Sequence, residues 1–283
     1  MNKFLRHLLL CLGILLLVNL VYIFVIGGNL RSYEEKYLEC PEEFRLLILG
    51  DSHSNRSWAA NTDPKRYNFA TGSDNVSDMR MKFEYAAARN QWKGEKAVVL
   101  PFEPHLLSAY RETKQNNAAN RIINNPYLNK HLVYWLPLFF DQNTAFDTKR
   151  FFLMFGKKAD DPERDKFTRP HARSRAAAQF PDAAVSRTLL REYQELIDLA
   201  RNNGYTIIPV RYPVHPYYDS LIQLRPASIY LTKVIDSLAA ANNLHVQDFT
   251  APLANPQWYV DQDHLNKKGS AVFLDHFAKQ YPY

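Results

Sequence analysis

The chain has 283 residues, of which 46% are hydrophobic, and a formal net charge of +6 at pH 7. This length holds one medium-sized domain with a substantial core, and one domain is the default expectation. Two cysteines exclude a disulfide framework, and nine scattered histidines without a His-x-x-x-His or cysteine pair predict no metal site and no other cofactor.

An uncharged apolar run occupies residues 8–26, and its nineteen residues are enough for a helix to cross the hydrocarbon core of a bilayer. Lys3 and Arg6 precede the run. Because basic flanks stay on the cytoplasmic side, the globular part is predicted to lie outside the cytoplasm, in the periplasm or at the cell surface. A cleaved signal peptide is the alternative, but no A-x-A-like site follows the run. We expect residues 1–28 to be a single-pass membrane anchor and residues 29–43 a polar stalk.

Apolar and amphipathic segments alternate through the predicted domain, residues 44–283. Short apolar runs, typical of strands buried on both faces of a parallel sheet, occur at residues 45–49, 67–70, 97–102, 205–210 and 244–248. Helical periodicity occurs at residues 76–91, at 189–200 before a stop at Gly204, at 229–241 and from about residue 267. This alternation predicts an α/β fold, in which a three-layer, flavodoxin-like parallel sheet has helices on both faces.

An insertion at about residues 105–182 interrupts this alternation, and connections of such length are usually functional or form a subdomain. Its first half is aromatic, and we expect Tyr134, Trp135, Phe139 and Phe140 to pack as a satellite core or to form an apolar surface for lipid or a membrane partner. Residues 149–175 hold nine Lys or Arg against four Asp or Glu. We expect the insertion beside the carboxyl ends of the strands, with its basic half facing an anionic polymer or lipid headgroups. A solvated loop is an equal alternative for residues 156–176. Nucleic acid is not a predicted partner, because the domain lies on the wrong side of a membrane.

Two short segments carry the residue types of nucleophilic catalysis. Ser52 follows the first predicted strand within Gly-Asp-Ser-His-Ser, which places its hydroxyl where open α/β sheets bind ligands. Asp261 and His264, three residues apart near the C-terminus, can lie on one side of a backbone turn. A histidine is needed to take the serine proton, and a carboxylate to orient the imidazole. The sequence therefore predicts these three residues as a catalytic triad. The neighbouring Asp263 is the alternative carboxylate, although spacing favours Asp261.

These segments resemble the first and last blocks of the SGNH (GDSL-like) hydrolase superfamily. LLILGDSHS resembles the block with the nucleophile, and WYVDQDHLNKKGSAVF the block in which Asp-x-x-His is followed by Leu-Asn and a glycine-started helix. The resemblance implies oxyanion-hole donors from the Ser52 backbone and from a glycine after the second strand, for which Gly72 is the candidate. It also implies an asparagine after the third strand, where this chain has Glu103 and no asparagine. Loss of one such donor typically costs about a hundredfold or more in rate. Another group substitutes, the activity differs from plain ester hydrolysis, or the domain is inactive.

An N-terminal anchor before an SGNH-like domain without that asparagine is similar in layout to the D-alanyl transfer protein and to alginate-type O-acetyltransferases. This resemblance implies an extracytoplasmic, serine-dependent O-acyl esterase or acyltransferase that acts on a cell-envelope glycan or polymer. It also implies a multi-spanning membrane acyltransferase as a partner. The alternative is a catalytically inactive SGNH-fold protein that binds or assembles an envelope polymer or such an acyltransferase.

Arg211 and His215 follow the fourth predicted strand, so their side chains are expected near the same crevice as the triad. Both are candidates for substrate binding. The prolines beside His215 are equally well explained by the rigidity of a turn.

Overall fold

The computed structural model describes residues 3–22, 34–124, 165–181 and 185–281. The chain divides into two compact units: one comprises residues 1–39 and 118–160, the other residues 40–117 and 161–283. The predicted boundaries between anchor, stalk and domain stay predictions. The insertion aromatics that were expected to form a satellite core or an apolar surface lie outside the described residues, namely Tyr134, Trp135, Phe139 and Phe140.

Helices and strands alternate along the described residues. The helices are α1 (Lys3–Tyr22), α2 (Ser52–Ser57), α3 (Val76–Arg89), α4 (Ala109–Glu112), α5 (Asn117–Asn124), α6 (Arg169–Gln179), α7 (Arg187–Asn202), α8 (Pro216–Ile222), α9 (Pro226–Ala241) and α10 (Lys267–Gln280). The strands are β1 (Leu46–Ile48), β2 (Arg66–Asn68), β3 (Lys96–Pro101), β4 (Tyr205–Arg211) and β5 (Gln247–Asp248). A further helical turn spans residues 34–38.

The first unit contains α1, in which the segment Lys3–Val21 is long and apolar enough to cross a membrane. Its mean hydropathy is 2.3, and only 6% of it is buried. The predicted apolar helix is confirmed as far as Tyr22, and residues 23–33 lie outside the described residues. A signal sequence near the N-terminus has the same length and composition, so anchoring in a membrane stays a prediction.

The second unit is built on a five-stranded parallel sheet with the order β2-β1-β3-β4-β5. Leu47 of β1 lies opposite Tyr67 of β2 and Val98 of β3. Every residue of β1 is buried, as expected for a central parallel strand that is covered on both faces. This strand order is the flavodoxin-like one, whose ligand crevice lies at the switch point between β1 and β3. The predicted fold class is confirmed.

Helices cover both faces of this sheet. On one face, Trp58 packs against Phe273 and Phe277 of α10, with ring centroids 5.8 and 4.8 Å apart. On the other face, Phe83 of α3 meets Tyr205 of β4 at 5.1 Å, and α7 packs against both α3 and β4. Full burial of one large apolar side chain contributes about 1.5–3 kcal/mol, so these two aromatic layers stabilise the sheet that carries the site.

The turn from β1 into α2 depends on Gly50. Its φ of +134° is a conformation that residues with a side chain rarely adopt. A Cβ at this position would lie 1.9 Å from Ser54 Oγ, so the turn also lacks the space for one. Asp51 then caps α2, because its Oδ1 accepts a hydrogen bond from the His53 amide at 2.9 Å. Ser52 is thereby the first residue of a helix that starts directly after β1.

The segment after His264 is fixed by a close approach at Gly269. A Cβ on Gly269 would lie 2.2 Å from the Trp258 carbonyl oxygen. Asn266 caps α10 by accepting a hydrogen bond from the Gly269 amide, and Leu265 is buried in the core. The Leu-Asn pair and the glycine therefore hold α10 in a fixed position directly after the candidate histidine.

The structure differs from the sequence prediction mainly in its short elements. The helices α6 and α8 were not predicted, because each has a proline in its first turn, Pro170 and Pro216, and α6 buries only Ala172, Ala176 and Gln179. The solvated-loop alternative is therefore wrong for residues 169–176. The fifth predicted strand is only two residues long, since the Leu244 amide still bonds to the Ala239 carbonyl at the end of α9.

Gly50→Ala is expected to lower the free energy of unfolding by about 2–4 kcal/mol, because it adds a steric overlap to a strained φ. Gly204→Ala is the matched control. Gly204 has φ +75° but nothing within 4 Å of its Cβ position, so about 1 kcal/mol is expected there. Urea denaturation of the full chain in detergent, followed by tryptophan fluorescence, measures both losses. Equal losses of unfolding free energy in the two variants would show that the steric overlap with Ser54 adds nothing to the cost of the positive φ.

Candidate active site

Ser52 and Gly72, the predicted nucleophile and oxyanion donor, lie next to each other at the carboxyl ends of β1 and β2. A Cβ on Gly72 would lie 3.9 Å from the Ser52 Cβ. The loop that contains Gly72 is fixed by Asn116, whose Nδ2 donates to the Gly72 carbonyl at 2.9 Å and to Asp74 Oδ1 at 2.8 Å. The backbone of this loop is therefore fixed beside the candidate nucleophile.

The loop before α10 orients His264. Its Nδ1 lies 2.9 Å from both carboxylate oxygens of Asp261. Asp261 Oδ1 is itself held by the Asp263 amide at 3.0 Å, and the Val260 amide donates to the His264 carbonyl at 2.9 Å. A carboxylate that accepts from Nδ1 favours the tautomer in which Nε2 is an acceptor. The Asp261–His264 half of the predicted triad is thus assembled within one backbone turn.

The predicted hydrogen bond between Ser52 and His264 is not formed. His264 Nε2 is buried and has no hydrogen-bond partner among the described residues. The imidazole nevertheless lies beside the turn that contains Ser52, because its ring meets that of His53, the residue after Ser52, edge to face at 5.6 Å. Catalytic hydrogen bonds are often long in unliganded sites and shorten when substrate binds, so the geometry leaves this nitrogen available. The catalytic roles of these residues stay predictions.

Asp263, the alternative carboxylate, also faces His264 but lies slightly further away. Its Oδ1 is 3.3 Å from His264 Nδ1, against 2.9 Å for Asp261. The Asp263 side chain is fully buried, whereas about a fifth of the Asp261 side chain is exposed. The distances favour Asp261 as the orienting carboxylate and place a second carboxylate on the same nitrogen.

At the end of β3, Glu103 occupies the region where the family resemblance implies an asparagine. Glu103 Oε1 lies 2.6 Å from His53 Nδ1, and both side chains are buried. Burial alone would lower the pKa of His53, but the charges of Glu103 and Asp51 and a hydrogen bond to Asp263 raise it well above its usual value. His53 and Glu103 therefore form a buried ion pair, and an ionised carboxylate cannot donate to an oxyanion.

His105, Arg111 and Arg175 also belong to this site, and sequence reasoning missed all three roles. His105 Nε2 and Arg111 Nη2 lie 2.9 and 2.6 Å from Asp51 Oδ2. Burial would raise the pKa of Asp51, yet the charges of His53 and Arg111 and the His105 hydrogen bond hold it well below its usual range. Arg175, expected on a basic surface, instead points inward to Asp263 at 2.8 Å. No sequence spacing connects these residues to Ser52.

Asp51, His53, Glu103 and His105 lie close enough together to hold a metal ion, as do His53, Asp263 and His264. Glu103 pairs with His53, and Asp51 and Asp263 each pair with a guanidinium group, as described above. A divalent cation would have to displace these ion pairs against the positive charge of both arginines. These donor sets therefore fit ion pairs rather than a metal.

The predicted substrate-binding residues have other partners in the described part of the chain. Arg211 Nη2 lies 2.6 Å from Asp236 Oδ1, and its side chain also lines a cavity of about 400 Å³ whose wall includes His53 and Glu103. His215 stacks on Phe167 at 3.9 Å and caps α8. His215 thus has a structural role in this turn, and substrate contact by Arg211 and by His215 stays a prediction.

No protein-family model matches the chain, and no curated protein matches it. Among solved structures, it is similar to a candidate acylhydrolase from Bacteroides fragilis, with a TM-score of 0.45, 12% identity and coverage of 89% of this chain and 94% of that one. It is also similar to a GDSL-like lipase from Bacteroides thetaiotaomicron, with a TM-score of 0.46, 10% identity and coverage of 89% and 96%.

Glu103→Gln is expected to destabilise the protein by roughly 3 kcal/mol near pH 6, because it leaves the buried His53 imidazolium without its closest counter-charge. The folded pKa of His53 is raised, so this contribution is complete below about pH 6.5 and is lost as the pH rises through the raised value. The difference in unfolding free energy between parent and variant should therefore become smaller towards alkaline pH.

Urea denaturation at a series of pH values from 6 to 10 checks this difference. The exposed Glu95→Gln is the control and should change stability by less than about 0.5 kcal/mol at every pH. If Glu103→Gln lowers the free energy of unfolding by the same amount at every pH, the ion pair with Glu103 does not keep His53 protonated.

Proposed function

We propose that this chain is a serine-dependent O-acyl esterase or acyltransferase that acts outside the cytoplasm on a cell-envelope glycan or polymer. The observation that carries the proposal is the imidazole of His264. Both oxygens of Asp261 hold its Nδ1, and its Nε2 is left without a partner among the described residues, close to the turn that presents Ser52. A nucleophile, a base and an orienting carboxylate are the parts that acyl transfer through a serine ester needs.

In the proposed reaction, Ser52 Oγ attacks the carbonyl carbon of an acyl ester while His264 Nε2 takes the hydroxyl proton. The oxyanion of the tetrahedral intermediate accepts hydrogen bonds from the Ser52 and Gly72 amides. Collapse expels the alcohol, which receives the proton from His264, and leaves an acyl-serine. Water or a glycan hydroxyl then attacks this ester while His264 Nε2 takes its proton. As the bond to Ser52 Oγ breaks, His264 delivers that proton to Ser52, which completes hydrolysis or transfer.

The proposed location follows from the N-terminal helix. Its apolar segment could serve as an anchor, and Lys3 and Arg6 at its start favour a cytoplasmic N-terminus. The domain would then meet envelope polymers, and a multi-spanning membrane acyltransferase could supply acyl groups from the cytoplasm. Arg211 beside the cavity at the ends of β3 and β4 is the proposed contact for substrate.

A non-catalytic function is the second candidate, and the His53–Glu103 pair favours it. This pair occupies the end of β3, and both His53 nitrogens face carboxylates, so neither is directed to an oxyanion. The two remaining backbone donors would have to suffice for catalysis. A protein that keeps this fold to hold an anionic polymer or a membrane-bound acyltransferase needs no such donors.

Ser52→Ala is expected to abolish both covalent labelling by a fluorophosphonate probe and hydrolysis of a small ester such as p-nitrophenyl acetate. Covalent labelling needs a serine that a base activates, and in the proposed site that serine is Ser52. His264→Asn should slow labelling by about a thousandfold or more, because proton removal and its orientation are lost together. Mass spectrometry of the labelled chain identifies the modified residue.

Ser54→Ala is the matched control, since Ser54 lies in the same helix but is fully buried. The Ser54→Ala variant should still be labelled by the fluorophosphonate probe at Ser52. An unlabelled parent protein that remains unlabelled when the membrane acyltransferase is added would favour the binding function instead.

A further inference from the structure

Asp263 is a buried carboxylate with contacts to both histidines of the site. Its Oδ1 lies 3.3 Å from His264 Nδ1, and its Oδ2 lies 3.5 Å from His53 Nε2. Burial would raise the pKa of Asp263, but the charge of His264, the hydrogen bond to His53 and the charge of Arg175 hold it well below its usual range. Asp263 is therefore an anion, although it has no solvent exposure.

His264 consequently faces two carboxylates through one nitrogen, since Asp261 lies on the same atom at 2.9 Å. The other charged group against its ring is the His53 imidazolium, which is itself paired with Glu103. A base must be neutral before it can accept a proton, and each nearby negative charge favours its protonated form. One carboxylate is enough to orient the ring, whereas the negative charge of a second carboxylate favours the protonated form and works against proton acceptance.

Arg175 supplies the missing compensation from the insertion helix α6. Its Nε donates to Asp263 Oδ2 at 2.8 Å, and its Nη1 donates to the Tyr110 hydroxyl at 2.8 Å. The guanidinium also stacks over the Tyr110 ring at 5.7 Å, so it is fixed in place. Gln179, one turn later in the same helix, donates to the same Asp263 oxygen at 3.3 Å. Two residues of α6 thus hold one carboxylate of the candidate catalytic loop.

We propose that Arg175 and Asp263 are positioning residues for the candidate base: the arginine offsets the charge of the buried second carboxylate and thereby favours the neutral, proton-accepting form of His264. Asp263 fixes the loop through its contacts with Gln262 Nε2 and His264. Arg175 offsets the negative charge that this carboxylate places beside His264. The insertion is then part of the catalytic machinery through α6. This inference rests on the proposed role of His264 as the base.

The test uses opposite charge changes at the two residues. Arg175→Gln removes the closest positive charge from the second carboxylate, so the protonation of His264 should shift to higher pH by roughly one unit. Asp263→Asn removes that carboxylate and should shift protonation to lower pH by a similar amount. The double variant removes both charges and should titrate near the parent.

The readouts are the ¹³Cε1 signal of His264 in the full chain, labelled at histidine, and the pH dependence of kcat/KM for p-nitrophenyl acetate. In Arg175→Gln, the acidic limb of kcat/KM should move to higher pH, with a loss of roughly tenfold at a pH below the parent's limb. The nuclear magnetic resonance signal needs no turnover. A titration that shifts as expected in a protein without esterase activity would therefore overturn the proposed function and leave the electrostatic inference intact.

Two control variants complete the test, one at a neighbouring arginine and one that keeps the charge at residue 175. Arg173→Gln, on an exposed residue of the same helix that contacts the Tyr217 hydroxyl, should leave the His264 titration unchanged. Arg175→Lys keeps the charge and should stay within a few tenths of a unit of the parent. If Asp263→Asn does not fold, the comparison of Arg175→Gln with Arg175→Lys decides alone. Shifts of the same sign in both single variants, or none in Arg175→Gln, would overturn the inference.

Discussion

The buried carboxylate of Asp51 joins three parts of the chain that form the candidate site. Its Oδ1 caps the helix that starts with Ser52, and its Oδ2 accepts from His105 after β3 and from Arg111 in α4. Arg111 also donates to the Asp74 carbonyl at 2.6 Å, in the loop that follows Gly72. One carboxylate therefore sets the nucleophile turn relative to the oxyanion loop. Breaking such a buried pair typically costs about 3–5 kcal/mol, so the turn cannot relax without a large loss of stability.

Ion pairs, rather than neutral amides, hold the remainder of this site together. Asp51 pairs with Arg111, Glu103 with His53 and Asp263 with Arg175. Each anion has a cation within hydrogen-bonding distance, which offsets the cost of removing charges from water. Such an arrangement is rigid because no member can leave without exposing its partner. It also explains why an asparagine is not needed to keep the end of β3 in place, although it supplies no replacement for the hydrogen bond that an asparagine amide would donate.

The sequence predicted the parts of this protein that depend on local pattern. The strands appeared as apolar runs, and Asp261 with His264 appeared as a spacing, because a three-residue separation fixes where both side chains can lie. The ion pairs could not be predicted in this way. Arg111 meets Asp51 across 60 residues and Arg175 meets Asp263 across 88, and only the tertiary fold determines such contacts. A long basic side chain in a charged stretch is usually solvated, so nothing in its neighbourhood distinguished Arg175 from a surface residue.

The charges of the site also set opposite limits on the pH range in which it can work. The folded pKa values of Asp51 and Asp263 are lowered, so their stabilisation is complete above the usual range for Asp and is lost as the pH falls through the lowered values. His53 behaves in the opposite sense, and its contribution is lost as the pH rises through its raised value. A base such as His264 acts only when it is neutral, and this requirement sets a separate acidic limit on activity. The proposed activity should therefore be bell-shaped in pH, with an acidic limb from the base and an alkaline loss that coincides with a loss of stability rather than with the chemistry.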